Sequence, residues 1–203
     1  MSESTGSKER AHQVAILCAL VFQFSKSENK EEKELLSERI EIQREILLEG
    51  DAIVKGFSRV EKSLKGNPLD IIAAANTNPT ITVRRGFYGS KNSGEAVFKY
   101  PFGAVKIILK HIDGESKYFK ITDDDLRQIP VIVRDYWPTE TKGEKNSTGA
   151  RREWRVKHND RLLVLVTEKE NKRFVDSGFE TVITFFVQNP AKERFFKAMS
   201  QKK

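Results

Sequence analysis

The chain has 203 residues, enough for one large domain or two small ones, and its 38% hydrophobic content allows a core beneath a highly charged surface. A net charge of +7 favours a polyanionic or acidic partner, whether nucleic acid, an acidic membrane or an acidic protein. The single cysteine excludes an internal disulfide framework and a cysteine zinc cluster, and no apolar run reaches the roughly 18 residues of a membrane span.

The first predicted element is an apolar helix. Residues 1–8 are small and polar, and we expect them to be disordered. Two basic residues then precede an apolar run at residues 14–24, an order typical of a signal peptide, but Gln23 interrupts the run and no small-residue cleavage site follows. We therefore predict a largely buried helix from Glu9 to Phe24, with Cys18 as a small buried side chain.

Helical periodicity continues after residue 30. Residues 31–49 place Leu35, Ile40 and Leu47 near one face and charges elsewhere, and Gly50 is a plausible helix end. The acidic surface of this helix is either solvated or a docking surface. Residues 52–77 are predicted as further helix, with a break at residues 66–68.

The positive charge is concentrated in the C-terminal part. Residues 1–79 carry 11 basic and 13 acidic residues, a net charge of −2, whereas residues 80–203 carry 25 and 16, a net charge of +9. The periodicity also changes near the polar stretch Asn-Thr-Asn-Pro-Thr at residues 76–80. We therefore predict two units: a helical N-terminal unit at residues 1–79, for docking, delivery or partner contact, and a basic unit at residues 80–203.

The second unit is predicted to be α+β, with helices first and an antiparallel meander after them. Strand-like alternation at residues 80–87 and 95–100 precedes a short helix at residues 103–111. Thr122 and Asp125 form a capping box for a second helix, which Pro130 breaks or kinks; the same acidic cluster could instead bind a cation. After a polar loop come three strands, roughly at residues 152–157, 161–169 and 179–188, and a short basic helix.

His111 is the first candidate for acid–base chemistry. The chain lacks a P-loop, a GxGxxG, an HExxH and a GxSxG motif. Cleavage of RNA needs none of these, because the ribose 2′-OH is the nucleophile and the protein has only to move protons and stabilise a charged phosphorane. Lys110 would lower the pKa of His111 and add charge for the phosphate. The alternative is a histidine that merely suits a helix C-terminus.

Further candidates lie on the predicted strands. Arg152 is a catalytic candidate, and Arg151, Arg155 and Lys157 are candidates for substrate binding. Arg152 and Arg155 should face opposite sides of their strand, since three residues separate them. Trp154 shares the face of Arg152 and would either stack on a base or enter the core.

On the last strand, Thr184 is expected to share a face with Val182 and Phe186. It is either a packed β-branched residue or a phosphate-binding hydroxyl. His158, in the turn His-Asn-Asp, is expected to be a surface residue.

The order of these features resembles the phage-associated nucleases grouped with barnase, EndoU, colicin-type ribonucleases and RelE. A short helix ends in Lys110-His111, a second helix carries Asp-Leu-Arg-Gln-Ile-Pro, and three strands follow, the last with Thr-Phe-Phe. The resemblance covers about residues 86–187. It implies a helices-then-sheet fold and a toxin that cleaves RNA, for example tRNA, without a metal or other cofactor.

The resemblance also implies catalytic roles for Lys110, His111, Thr184 and Arg151 or Arg152. Phe186 stands where the family usually has a tyrosine near that threonine. The implied partners are the RNA substrate and a cognate inhibitor protein. The implied place of action is the cytoplasm of a bacterial cell, reached by delivery or from a phage.

Three functions remain open from sequence. The first is the metal-independent ribonuclease toxin. The second is a nucleic-acid-binding module without activity, which the charge of residues 80–203 would support. The third is an effector that docks on a protein through its N-terminal helices.

Overall fold

The computed structural model describes residues 8–89, 101–113, 120–141, 151–169, 179–188 and 199–203. Two antiparallel helices open the chain, α1 (Lys8–Lys26) and α2 (Lys30–Lys62). Between them Asn29 caps α2, because its side-chain oxygen accepts hydrogen bonds from the backbone N–H groups of Glu31 and Glu32. The two acidic residues also suit the positive end of the helix dipole.

The prediction that α1 is largely buried is wrong. Leu20 packs against α2 and is buried, and Ile16 and Leu17 are half-buried. Cys18 is exposed rather than buried, and Phe22 is 63% exposed. The physical reason is the geometry of a helical hairpin: α2 covers only one side of α1, so an apolar sequence on the other side stays in contact with solvent.

Helix α2 does not end at Gly50, because its apolar positions continue at helical spacing through Ile53 and Phe57. A Cβ at Gly50 would lie 3.4 Å from the side chain of Arg127, an ordinary van der Waals contact. At Gly56 a Cβ would lie only 2.8 Å from the carbonyl oxygen of Ile72. Gly56 therefore allows α2 to approach β1 closely, and neither glycine ends the helix.

Residues 71–75, predicted as helix, form a strand. This strand, β1 (Ile71–Ala75), pairs antiparallel with β2 (Thr80–Arg84) and buries Ala73 and Ala75. Pairing with a neighbouring strand outweighs the helical preference of three consecutive alanines. The N-terminal part is therefore not purely helical.

Within the described ranges the sheet has six strands and is mixed. The remaining strands are β3 (Thr139–Thr141), β4 (Arg151–His158), β5 (Arg161–Lys169) and β6 (Phe179–Gln188), and the order across the sheet is β1-β2-β6-β5-β4-β3. Strands β2 and β6 run parallel, whereas the other neighbours are antiparallel. The α+β class and the antiparallel meander β4-β5-β6 are confirmed, and the pairing of β2 with β6 adds one parallel pair to the sheet.

Two further helices lie between β2 and β3. Helix α3 (Gly103–Ile107) continues directly into a π-helical turn at Ile108–Ile112. Helix α4 (Asp123–Asp135) begins with the predicted capping box: Oγ1 of Thr122 accepts from the backbone N–H of Asp125, whose carboxylate accepts from the backbone N–H of Thr122. Pro130 lies inside α4 without ending it.

One core joins the helices to the sheet. Its members include Phe57 from α2, Ile81 from β2, Ile107 from α3, Ile129 from α4 and Phe185 from β6. The predicted boundary at residues 79/80 lies between β1 and β2, which pair with each other. Phe57 of α2 and Ala73 of β1 belong to the same core as the strands on the other side of that boundary.

The C-terminal residues 199–203 lie beside β4. The backbone N–H of Ser200 donates to the carbonyl oxygen of Arg155. The backbone N–H of Trp137 donates to the carbonyl oxygen of Gln201. The predicted strand at residues 95–100, most of the polar loop and most of the predicted C-terminal helix lie outside the described residues. Among the helices of the described ranges, none has the length and apolar character to span a membrane.

Candidate functional site

His111 lies in the π-helical turn that follows α3. The carbonyl oxygen of Ile108 accepts a hydrogen bond of 2.8 Å from the backbone N–H of Asp113, five residues on. The carbonyl oxygen of His111 accepts another, of 3.1 Å, from the backbone N–H of Ile121. Single π-helical turns occur often at functional sites. Here the turn and its bond to the segment before α4 fix the backbone of His111.

A glycine contact positions the start of α3, and with it His111. Gly86 and Gly103 both have positive φ, +67° and +75°. A Cβ at Gly86 would lie 1.8 Å from the carbonyl oxygen of Phe102, so only glycine fits there. The backbone N–H of Val105 donates to the carbonyl oxygen of Arg85 at 2.9 Å, which ties α3 to the end of β2.

A β-bulge at Ile183 decides where Thr184 points. Val166 pairs with Thr184 and Thr167 with Val182, so Ile183 has no counterpart on β5. As a result Val182 and Phe185 both enter the main core, which strict alternation would not allow. The expectation that Val182 and Thr184 share a face is therefore wrong. We call the face with Thr184 and Phe186 the Thr184 face, and the opposite one the core face.

The π-helical turn and the bulge bring His111 and Thr184 together. Nε2 of His111 lies 3.3 Å from Oγ1 of Thr184. The imidazole also stacks on the ring of Phe186, with centroids 5.5 Å apart and planes inclined by 24°. The half-buried imidazole thus has a hydroxyl at one nitrogen and an aromatic ring against its face.

The surroundings of His111 favour its neutral form. Burial, followed by the positive charges of Lys110 and Lys106, lowers the pKa of His111 from 6.5 to about 4. At neutral pH the imidazole is therefore uncharged, and Nε2 can accept a hydrogen bond from the Thr184 hydroxyl when the proton is on Nδ1. The unprotonated Nε2 can accept a proton from a substrate, and its pKa of about 4 makes it a weaker base than an ordinary histidine.

Three of the predicted binding cations share the Thr184 face. Val164 pairs with Phe186 and with Arg155, which places Arg155 on this face, and alternation along β4 adds Arg151 and Lys157. Each of the two arginines has an acidic neighbour: Nε of Arg151 lies 2.9 Å from the carboxylate of Glu168, and Arg155 forms a close ion pair with Glu153. Arg155 also donates to the side chain of Gln188 at 2.7 Å, and Lys157 is exposed.

Arg152 and Trp154, in contrast, lie on the core face. Trp154 is buried in the core, and its Nε1 donates to the carbonyl oxygen of Tyr136 at 3.1 Å. Arg152 lies 3.1 Å from the carboxylate of Glu180. The structure therefore brings His111 and Thr184 together, with Lys110 preceding His111 in the chain. Arg152 projects from the face of the sheet opposite Thr184.

The other candidates have structural partners. Asp125, in the acidic cluster at the start of α4, accepts from Thr122 and from Arg161, which uses both Nε and Nη2. Within the described parts of the chain no group of His, Cys, Asp and Glu side chains could hold a metal ion. His158 lies in the turn to β5, where Asn159 and Asp160 have the positive φ of a tight hairpin.

Sequence reasoning missed two neighbours of His111. Lys106 contributes to its lowered pKa from one turn earlier, and a search for cations within five residues of the histidine would have found it. The sequence predicts that Phe186 shares a face with Thr184, but its stacking on the imidazole depends on the bulge, which has no clear sequence signal.

Comparisons with family models, with curated proteins and with solved structures find no match for this chain.

Proposed function

We propose that the protein is a metal-independent ribonuclease that cleaves RNA, with tRNA as the first candidate substrate. The observation that carries the proposal is the 3.3 Å contact between Nε2 of His111 and Oγ1 of Thr184. Both residues have a chemical use in attack by a 2′-OH on the adjacent phosphate, and both match the motifs that resemble the barnase, EndoU, colicin and RelE nucleases.

In the proposed reaction, neutral His111 acts as the general base. Its Nε2 takes the proton of the ribose 2′-OH, and the 2′ oxygen forms a bond to phosphorus. The bond from phosphorus to the 5′ oxygen then breaks, and the leaving oxygen takes a proton from the imidazolium or from solvent. The products are a 2′,3′-cyclic phosphate and a free 5′-OH.

Thr184 and two lysines bind and stabilise the phosphate in the proposed reaction. The Thr184 hydroxyl, which bonds to Nε2 in the free protein, turns to a non-bridging phosphate oxygen once the 2′-OH occupies the position beside Nε2. Lys110 is exposed, and Lys110 and Lys106 supply the positive charge that already acts on His111. The same charge that lowers the pKa of the base therefore stabilises the dianionic phosphorane.

The proposal is tested by incubating the purified protein with total tRNA, with and without EDTA, and resolving the products on a denaturing gel. Cleavage is expected in both conditions. His111→Gln and Thr184→Val should abolish or strongly reduce it, whereas His12→Gln, on exposed α1, is the matched control and should not. Intact tRNA after prolonged incubation with the wild type would refute the ribonuclease; full activity of His111→Gln would refute this site.

A protein-binding role is the second candidate, and the exposed apolar side of α1 favours it. Val21 and Phe22 are 44% and 63% exposed at the end of α1 that leads into α2. Exposed apolar surface of this kind is typical of a contact site. Phe22→Ser should then leave cleavage of purified tRNA unchanged and weaken the effect of the protein on growing cells; an unchanged effect on growth would exclude a role for this surface.

A further inference from the structure

A cavity of about 440 Å³ opens on the core face of the sheet, opposite the Thr184 face. Arg152 and Trp154 of β4 form one side of it, Trp137 and Lys203 another, and Ile81 and Val133 contribute apolar walls. The cavity volume lies within the range of about 300 to 1,000 Å³ that is typical of small-molecule sites. It does not include His111 or Thr184.

The charged groups around the cavity are cationic. Arg152 and Lys203 line it, and no aspartate or glutamate is found among the lining residues of the described ranges. Glu180, which is buried behind Arg152, holds the guanidinium at 3.1 Å and is itself held by the hydroxyl of Thr167 at 2.8 Å. Arg152 is therefore a fixed cation at the cavity wall, and such a planar fork is suited to a phosphate group.

Trp137 offers the cavity an exposed surface for a planar ring. The Trp137 ring is 59% exposed, and the ammonium of Lys203 lies 5.1 Å from its centroid. Lys203 is held in place by a 2.9 Å bond from its Nζ to the carbonyl oxygen of Val133. Trp154 is fixed by its bond to the carbonyl oxygen of Tyr136. Bases stack on exposed aromatic side chains of this kind without regard to their sequence.

We propose that this cavity binds a nucleoside monophosphate, either as a free nucleotide or as the terminal nucleotide of an RNA strand. The base lies against Trp137 and the apolar wall of Ile81 and Val133, and the phosphate lies at Arg152 and Lys203. This site is separate from the His111–Thr184 pair, because Arg152 and Thr184 project from opposite faces of the sheet. Arg152, expected from sequence to take part in catalysis, here binds a second nucleotide.

The test uses the fluorescence of the full chain, whose two tryptophans, Trp137 and Trp154, both line the cavity. The titrants are adenosine monophosphate, adenosine, inorganic phosphate and a short oligoadenylate with a 5′-phosphate. We expect saturable quenching by the monophosphate, with adenosine and phosphate each binding at least about tenfold more weakly, since each lacks one half of the contacts. A stronger response to the oligonucleotide than to the monophosphate identifies a strand end as the ligand, and the reverse identifies the free nucleotide.

Variants assign the binding to named side chains. Trp137→Leu, at an exposed position, should weaken binding of the monophosphate by about tenfold, read from Trp154 fluorescence and by calorimetry. Arg152→Gln should remove the preference for the monophosphate over adenosine; if its loss of the Glu180 ion pair prevents folding, Lys203→Gln is used for the same comparison. Lys30→Gln, at the start of α2 and away from the residues that line the cavity, is the control and should bind normally.

The proposal is overturned if the wild type binds none of the four titrants at millimolar concentration. It is equally overturned if adenosine binds as well as its monophosphate, or if Trp137→Leu binds normally. His111→Gln must bind the monophosphate normally, so the result is independent of whether the protein cleaves RNA.

Discussion

Nε2 of His111 and Oγ1 of Thr184 lie 3.3 Å apart although 73 residues separate them in the chain. Each reaches the contact through an irregularity of the backbone. A π-helical turn carries the histidine, and a β-bulge at Ile183 turns the threonine away from the core. Both irregularities interrupt the regular backbone hydrogen-bond pattern. Both are frequent at functional sites, where they change the direction of a side chain.

The pH dependence of the reaction follows from the neutral state of His111. A base with a pKa of about 4 remains active well below the 6.5 of an ordinary histidine. We expect the acidic limb of kcat/KM to have its midpoint near pH 4. A midpoint near 6.5 would mean that His111, with its lowered pKa, is not the catalytic base.

The charge of Lys110 is expected to act directly on His111. Lys110→Gln removes a neighbouring positive charge, so the pKa of His111 should rise towards its ordinary value without reaching it, since burial remains the larger cause. An NMR titration of the imidazole Cε1–H resonance measures this. Lys30→Gln, far away at the start of α2, is the control. An unchanged pKa of His111 in Lys110→Gln would show that solvent fully screens the charge of Lys110 from the imidazole.

The same histidine makes stability depend on pH. Its pKa in the folded protein, about 4, lies below the unfolded value of 6.5, so the unfolded chain binds the proton more tightly. The free energy of unfolding should therefore fall as the pH is lowered from 6.5 to about 4. Above pH 6.5, His111 should not change how the free energy of unfolding depends on pH. Urea denaturation of the wild type and of His111→Gln compares the two slopes. If both fall equally, other groups cause the loss.

The glycine contact beneath α3 gives a prediction about stability. Gly86→Ala places a Cβ against the carbonyl oxygen of Phe102 at a positive φ, and we expect a loss of about 2 to 3 kcal/mol. Gly50→Ala is the control, because Gly50 lies within α2 and a Cβ there would meet the side chain of Arg127 at 3.4 Å, an ordinary van der Waals contact. Denaturation midpoints of the two variants should differ clearly. Equal midpoints would show that the segment between β2 and α3 adjusts freely.

The sequence predicted the elements whose signals are local. The alternation of apolar and polar residues on either side of His158-Asn159-Asp160 predicts the meander. The capping box of Thr122 and Asp125 predicts the start of α4. The chemistry of their side chains and the family resemblance indicate His111 and Thr184 as catalytic candidates. The sequence does not indicate the distance between them.

The errors came from features that depend on packing partners. Ile71–Ala75 has a helical composition but becomes a strand because β2 lies beside it. Much of the apolar α1 stays exposed because it packs mainly against α2, and Thr184 leaves the face of Val182 because of one unpaired residue on β6. Periodicity cannot signal any of these, since each is set by residues distant in the chain.

The most direct measurement compares two oligonucleotides of the same sequence, one of RNA and one with a 2′-O-methyl group at each ribose. The wild-type protein should cleave the RNA to a 2′,3′-cyclic phosphate and a 5′-OH, detected by mass spectrometry, and should leave the methylated strand intact, while His111→Gln cleaves neither. Cleavage of the methylated strand, or RNA products that carry a 3′-OH, would contradict a reaction in which His111 activates the 2′-OH.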